Sequence, residues 1–137
     1  MDCENVSYAK LALRLIALAH ISGELKTAKA YAKWRNQSLT SELNLHRLDF
    51  DCIDVPSTDK NSVDNKLISD CCREFESRFP PHILIIVAGD KDYASLVKKL
   101  RTKGVRVIIV ANRYNASRKL LSLIEPEDVY YVDTLAA

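Results

Sequence analysis

ILIIVAGDKDYASLV, residues 83–97, sets a short apolar run, two acids and a helical pattern end to end. Ile83 to Val87 are all β-branched or leucine, a run long enough for a strand and too short for a helix. Such a strand suits the interior of a parallel sheet covered on both faces. Ala88-Gly89 ends it, and Asp90 and Asp92 follow at once. From Tyr93 to Lys103 the pattern is helical, with Asp92 expected as the N-cap. Ligands of open α/β sheets bind just beyond the carboxyl ends of strands. A cap or a turn accounts for one acid there, but neither requires both.

Upstream, Ser7–Ser22 carries an apolar stripe of Leu11, Leu15, Ile16 and Leu18, with Gly23 as the expected C-cap. Glu24–Trp34 reads two ways. Its Ala and Lys content favours a helix, whereas the alternation of Ala28, Ala30, Ala32 and Trp34 with Lys29, Tyr31 and Lys33 favours a strand. A short helix is expected over Ser38–His46 and a strand within Arg47–Val55. The polar loop from Pro56 to Asn61 is placed to approach a substrate. Ser62 to about Arg78 reads as a helix with Leu67, Ile68, Cys71 and Phe75 on its buried stripe, and Asp64 falls on the same line. The helix dipole explains an acid in the first turn but not one that faces inward. Asp70 lies about 120° round that helix from Asp64 and ranks second. Pro80-Pro81 breaks the chain before the central strand. Gly104 caps the next helix, Val105–Val110 is a second buried strand, Asn115–Ile124 an amphipathic helix and Val129–Val132 a last strand. This alternation implies a mostly parallel sheet with helices on both faces.

Length fits one domain with a real core, and 47% apolar with 28% charged residues reads as soluble and globular. A net charge of +2 names no partner. Cys3, Cys52, Cys71 and Cys72 have no zinc or disulfide spacing, and a reducing cytoplasm is expected. Neither a signal peptide nor a membrane-spanning segment is expected, the longest apolar runs being far too short. Three glycines support neither a dinucleotide fingerprint nor a P-loop. His20, His46 and His82 are dispersed, which leaves no arrangement for nucleophilic catalysis. Carboxylates at element ends remain: Asp2, Asp64, Asp90 and Asp92. Such acids repel unless protonated or bridged by a cation, and hard oxygen donors suit Mg²⁺ or Mn²⁺. A divalent ion held there would orient a phosphodiester and activate water.

Asp2-Cys3-Glu4-Asn5, then Lys60-Asn61-Ser62-Val63-Asp64 with Asp70 six residues on, then Ala88-Gly89-Asp90-Lys91-Asp92-Tyr93-Ala94 resemble, in order, the three motifs of NYN domains. These belong to the PIN-like nuclease superfamily; Ala30-Tyr31-Ala32-Lys33-Trp34 resembles a strand segment of the same family. The resemblance implies a three-layer α/β/α PIN-like (Rossmann-like) fold with a mostly parallel central sheet, spanning residues 1–137 as one domain. It implies metal-dependent, endonucleolytic cleavage of RNA. Asp2, Asp64, Asp90 and Asp92 would be the catalytic, metal-holding residues, with Asn5 and Asp70 in support and Asn5 on the substrate side. The family sets a hydrophobic central strand immediately before the residue matching Asp2. Met1 stands there in this chain, so an N-terminal strand that is missing or truncated is expected.

RNA also needs cationic contacts to its phosphates. Lys98, Lys99, Arg101, Lys103 and Arg106 make one basic run, of which Lys98–Lys103 is better explained as a solvated helix face. Arg113, Arg118 and Lys119 lie nearer the expected pocket rim, where Asn112 and Ser117 are further candidates for a phosphate. Tyr93 and Tyr114 could stack on a base, although helix-end packing explains them as well. The rival to a cytoplasmic ribonuclease is a non-catalytic module of the same fold that binds RNA or a protein partner. A third reading is another metal-dependent phosphoesterase on a Rossmann-like sheet. Whether the chain forms a homodimer is open.

Overall fold

The computed structural model describes residues 9–57 and 59–135. Helices α1 (Ala9–Ser22), α2 (Leu39–Arg47), α3 (Ser62–Phe75), α4 (Ala94–Thr102), α5 (Arg118–Leu121) and α6 (Val132–Leu135) alternate with strands β1 (Lys29–Ala32), β2 (Asp51–Asp54), β3 (Ile83–Val87), β4 (Arg106–Ala111) and β5 (Val129–Tyr131). Every strand pairing among the described residues is parallel. The expected α/β class with a mostly parallel sheet is what the chain forms. No helix of the described residues is long and apolar enough to cross a membrane.

Side-chain alternation sorts the core into two layers. Ala30, Ala32, Val87, Ile108 and Val110 point to one face, where Leu11, Leu15 and Leu18 of α1 and Leu45 of α2 cover them. Tyr31, Ile86, Val107 and Ile109 point to the other face, against Val63 and Leu67 of α3, Val97 and Leu100 of α4 and Leu120 of α5. Both faces being covered is why β3 and β4 read as continuous apolar runs rather than alternating ones. The same geometry settles the ambiguous Glu24–Trp34 stretch. Helix propensity of its alanines amounts to tenths of a kcal/mol per residue, whereas the ladder with β2 and burial of Ala30, Tyr31 and Ala32 act together.

Several element ends differ from expectation. Asp90, not Asp92, is the cap: it accepts from the Asp92 amide at 3.0 Å and opens a 3₁₀ turn over Lys91–Tyr93 that runs into α4. Helix α3 stops at Phe75, three residues early, with Glu76 as its C-cap. The helix expected over Asn115–Ile124 shrinks to Arg118–Leu121. Ser117 stays extended as its cap, and Leu123 and Ile124 donate to carbonyls three residues back, so the apolar pattern continues in turns. Gly104 closes α4 at φ +82, as a helix-ending glycine does. Gly23 donates to the Ala19 carbonyl without adopting a positive φ.

Among the described residues the sheet is in two parts: β1 pairs with β2, and β3–β4–β5 form a separate ladder. Because the two parts share both helix layers, they lie side by side in one layer, with no pairing between β1 and β3 among the described residues. Among the described residues a cavity of about 470 Å³ lies between β1 and β3, lined by Tyr31, Ile83, Ile85, Leu15 and Leu67 among others. Truncating a side chain costs less where it already faces open space. Ile109→Ala, at a fully buried position, is expected to cost about 2–5 kcal/mol, and Ile85→Ala beside the cavity less than half of that in the same denaturant titration. Equal losses would show that Ile85 is packed as tightly as Ile109.

Candidate metal centre

Where β3 ends, the backbone comes close to the segment after β4. A Cβ placed on Gly89 would stand 3.2 Å from the Ala116 Cα and 3.4 Å from the Cβ atoms of Ala111 and Ala116. The Gly89 carbonyl accepts from the Ser117 amide at 2.8 Å. A Cβ there would press the Ala116 backbone back by a few tenths of an ångström, so proximity favours glycine, and the clamp turns the chain outward so that Asp90 emerges at the carboxyl end of the sheet. The Asp90 side chain caps the next turn and holds Asp92 two residues on, both acids being exposed. Asp64 comes from α3, whose inward stripe carries it to 9% exposure beside the core.

Asp64, Asp90 and Asp92 each bring one carboxylate oxygen to within 4.8 Å of the others. Oxygens around one Mg²⁺ lie about 2.1 Å from the ion, so neighbouring pairs stand roughly 3 Å apart and opposite pairs roughly 4.2 Å. A contraction of about half an ångström therefore brings the three into the range one ion spans. The donor set is all oxygen and all anionic, the chemistry of Mg²⁺ or Mn²⁺ rather than of zinc or copper. Two exposed donors and one buried donor leave a face open to water and a phosphodiester. The buried acid is held from below, where the Tyr93 hydroxyl, fully buried, donates to Asp64 Oδ1 at 2.9 Å. Burial rules out base stacking by Tyr93. In the sequence Tyr93 is only a helix-end aromatic, and no local pattern reveals a bond spanning 29 positions.

Asp70 is not among the three. It accepts from the Tyr31 hydroxyl at 2.8 Å and is paired with Lys66 and Arg73 of its own helix. Burial raises its pKa, but the hydrogen bonds from Tyr31, Lys66 and Arg73 outweigh it and hold the carboxyl below its ordinary value. The same bond, after burial, pushes the Tyr31 hydroxyl upward and keeps it protonated. Burial also pushes the Cys71 thiol up to about 11, so at neutral pH it stays a protonated, weakly nucleophilic thiol.

The remaining candidates divide. Asn112 Oδ1 accepts from the Tyr114 amide and Ser117 caps α5, so both shape the loop beside Gly89. Arg113 reaches Asp133 and Thr134 and stacks on Tyr131 with its guanidinium 4.1 Å from the ring centre. Arg118 and Lys119 are exposed at the start of α5 and make no ion pair among the described residues. In the other basic run, Lys99, Arg101 and Arg106 pair with Glu76, Glu125 and Asp128. Tyr114 is 88% exposed and free to meet a base. Asp2 and Asn5 lie outside the described residues.

A depressed carboxyl pKa stabilises the fold above the unfolded value, near 3.9, and the benefit disappears as pH falls through the folded value. Asp70→Asn is expected to cost about 1–3 kcal/mol at pH 7 and progressively less below about pH 4, while Mn²⁺ affinity stays unchanged. Urea titrations across pH, with Mn²⁺ titration at pH 7, check both halves.

No curated protein matches the chain by sequence. The crystal structure of a protein of unknown function from Vibrio parahaemolyticus RIMD 2210633 superposes with a TM-score of 0.74 at 19% identity, covering 96% of this chain and 81% of that one. That likeness speaks for the fold. The family model of the NYN domain matches residues 1–130, which takes in the three acids and nearly all of the sequence. The chain belongs to the NYN domain family.

Proposed function

We propose that this NYN domain is a Mg²⁺- or Mn²⁺-dependent ribonuclease that hydrolyses internal phosphodiester bonds of RNA in the cytoplasm. One observation carries the reading: three carboxylates from two distant segments, Asp64 on one side and Asp90 and Asp92 on the other, converge within 4.8 Å at the carboxyl end of a parallel sheet. Neither capping nor turn formation requires all three. By its place in the first motif, Asp2 is the fourth carboxylate, with Asn5 beside the substrate. Residues 1–137 act as one domain.

A bound divalent ion would lower the pKa of water, hold a phosphate oxygen and offset charge on the leaving oxygen. The protein's own groups would set the geometry. Asp64, fixed from the core, would define the inner edge of the site, while exposed Asp90 and Asp92 face the substrate. Arg118 and Lys119 would meet phosphates along the strand, with Lys91 exposed between the two outer acids. Arg113 would steady the segment after β4 through Asp133 and Tyr131 rather than bind RNA directly.

Asp90→Asn tests the catalytic assignment. Without metal, relief of repulsion should leave thermal stability unchanged or higher; with metal at 100 times its Kd, wild type should gain about 2.7 kcal/mol and the variant less. Cleavage of a labelled single-stranded RNA should fall at least ~100-fold. A variant that cuts at the wild-type rate would sink the assignment. If neither protein cuts yet both bind RNA, a regulatory module of the same family is the correct reading.

Substituting Arg118 and Lys119 together by Ala should weaken RNA binding about equally across sequences. The slope of log K against log salt should fall by up to roughly 1.4, since each phosphate neutralised on a single strand adds about 0.7 to it. Fluorescence anisotropy at several salt concentrations reads both. An unchanged slope would move the RNA path away from α5.

A further inference from the structure

Tyr93 touches both sides of the acid cluster. Its amide donates to the Asp90 carbonyl at 3.3 Å, within the turn that carries Asp90 and Asp92. Its side chain runs the other way into the core, wholly buried among residues that include Val63, Leu67 and Val97, and ends on Asp64 Oδ1 at 2.9 Å. One residue thereby joins the first turn of α3 to the end of β3. Packing alone does not call for the hydroxyl, since phenylalanine would fill the same space with no polar atom to satisfy. A carboxylate in the first turn of a helix has several rotamers to choose from, and a rigid donor anchored in the core selects one of them.

We propose that Tyr93 is a positioning residue for the metal centre: its hydroxyl orients the Asp64 carboxylate toward Asp90 and Asp92. The inference rests on the metal reading above and gives it a supporting shell. Groups that orient metal ligands typically cost 10–100-fold in metal affinity when removed. The chain supplies its own control. Tyr31 makes the same kind of bond, at 2.8 Å, to Asp70 on the same helix, and Asp70 stands outside the cluster. If tyrosine–aspartate bonds on α3 only hold the helix in place, both behave alike; if Tyr93 serves the site, only one affects metal.

The test uses the whole chain with Mn²⁺ as probe, in calorimetric titration and in the electron paramagnetic resonance spectrum of the bound ion. Tyr93→Phe should lower Mn²⁺ affinity roughly 10–100-fold and alter the spectrum of the ion that does bind, whereas Tyr31→Phe should leave both within about twofold of wild type. Tyr93→Gln, which keeps a donor, should retain more affinity than Tyr93→Leu, which has none, and this pair decides the matter if Tyr93→Phe does not fold. Wild-type affinity and spectrum in Tyr93→Phe, or equal affinity in Tyr93→Gln and Tyr93→Leu, would overturn the inference while leaving the metal reading intact. A wild-type chain that takes up no Mn²⁺ would overturn both.

Discussion

At Gly89 the sheet and the loop after β4 meet so closely that a side chain would have to push the Ala116 backbone aside. The clamp between the Gly89 carbonyl and the Ser117 amide fixes where β3 stops and where α5 starts. The segments that follow β3 and β4 take their positions from it. Asp90 emerges one residue later, Tyr93 turns inward three residues after that, and Arg118 stands one residue beyond Ser117 on the facing loop. An acidic cluster and a basic rim thus become neighbours through one backbone contact, although more than twenty positions separate them in the chain.

Helix α3 solves a related problem. It carries acids at two places on or near a core-facing stripe, and a buried acid is costly without hydrogen bonds. Each is met by a tyrosine hydroxyl from a different element: Tyr93 for Asp64 and Tyr31 for Asp70. The surroundings then diverge. Lys66 and Arg73 lie one turn either side of Asp70 and neutralise it, while Asp64 faces two further carboxylates. Two acids alike in sequence therefore differ in use, one tying α3 to β1 and the other gathering negative charge at the sheet end.

Much of this is legible in the sequence because it depends on short-range pattern. The β3 run, the inward line of Asp64 and the pair Asp90 and Asp92 all follow from spacing, as does a parallel sheet between two helix layers. Boundaries are less legible because they depend on which group supplies the last hydrogen bond. Spacing favours Asp92 as the cap, yet Asp90 caps the turn; the stripe of Asn115–Ile124 has a helical period, yet its bonds tighten to three-residue spacing. Tyr31 stays ambiguous between helix and strand in the sequence because the ladder that decides it lies some twenty residues away. The partners of Tyr93, Arg113 and Asp70 are out of reach for the same reason. Each is a contact across the fold, chosen by packing rather than by neighbours in sequence.

No hydrogen-bonded ladder joins β1 to β3 among the described residues, and helices pack across both half-sheets. Helix α3 lies across that junction, packed on β1 at one flank and on α4 at the other. Asp64 rides on this bridging helix, whereas Asp90 and Asp92 ride on the end of β3. The spread of the three carboxylates is therefore a gauge of how far apart the two half-sheets stand. Whatever draws β1 and β3 together or wedges them apart acts on the mouth of the acid cluster through a lever one helix long, with no contact to the acids themselves.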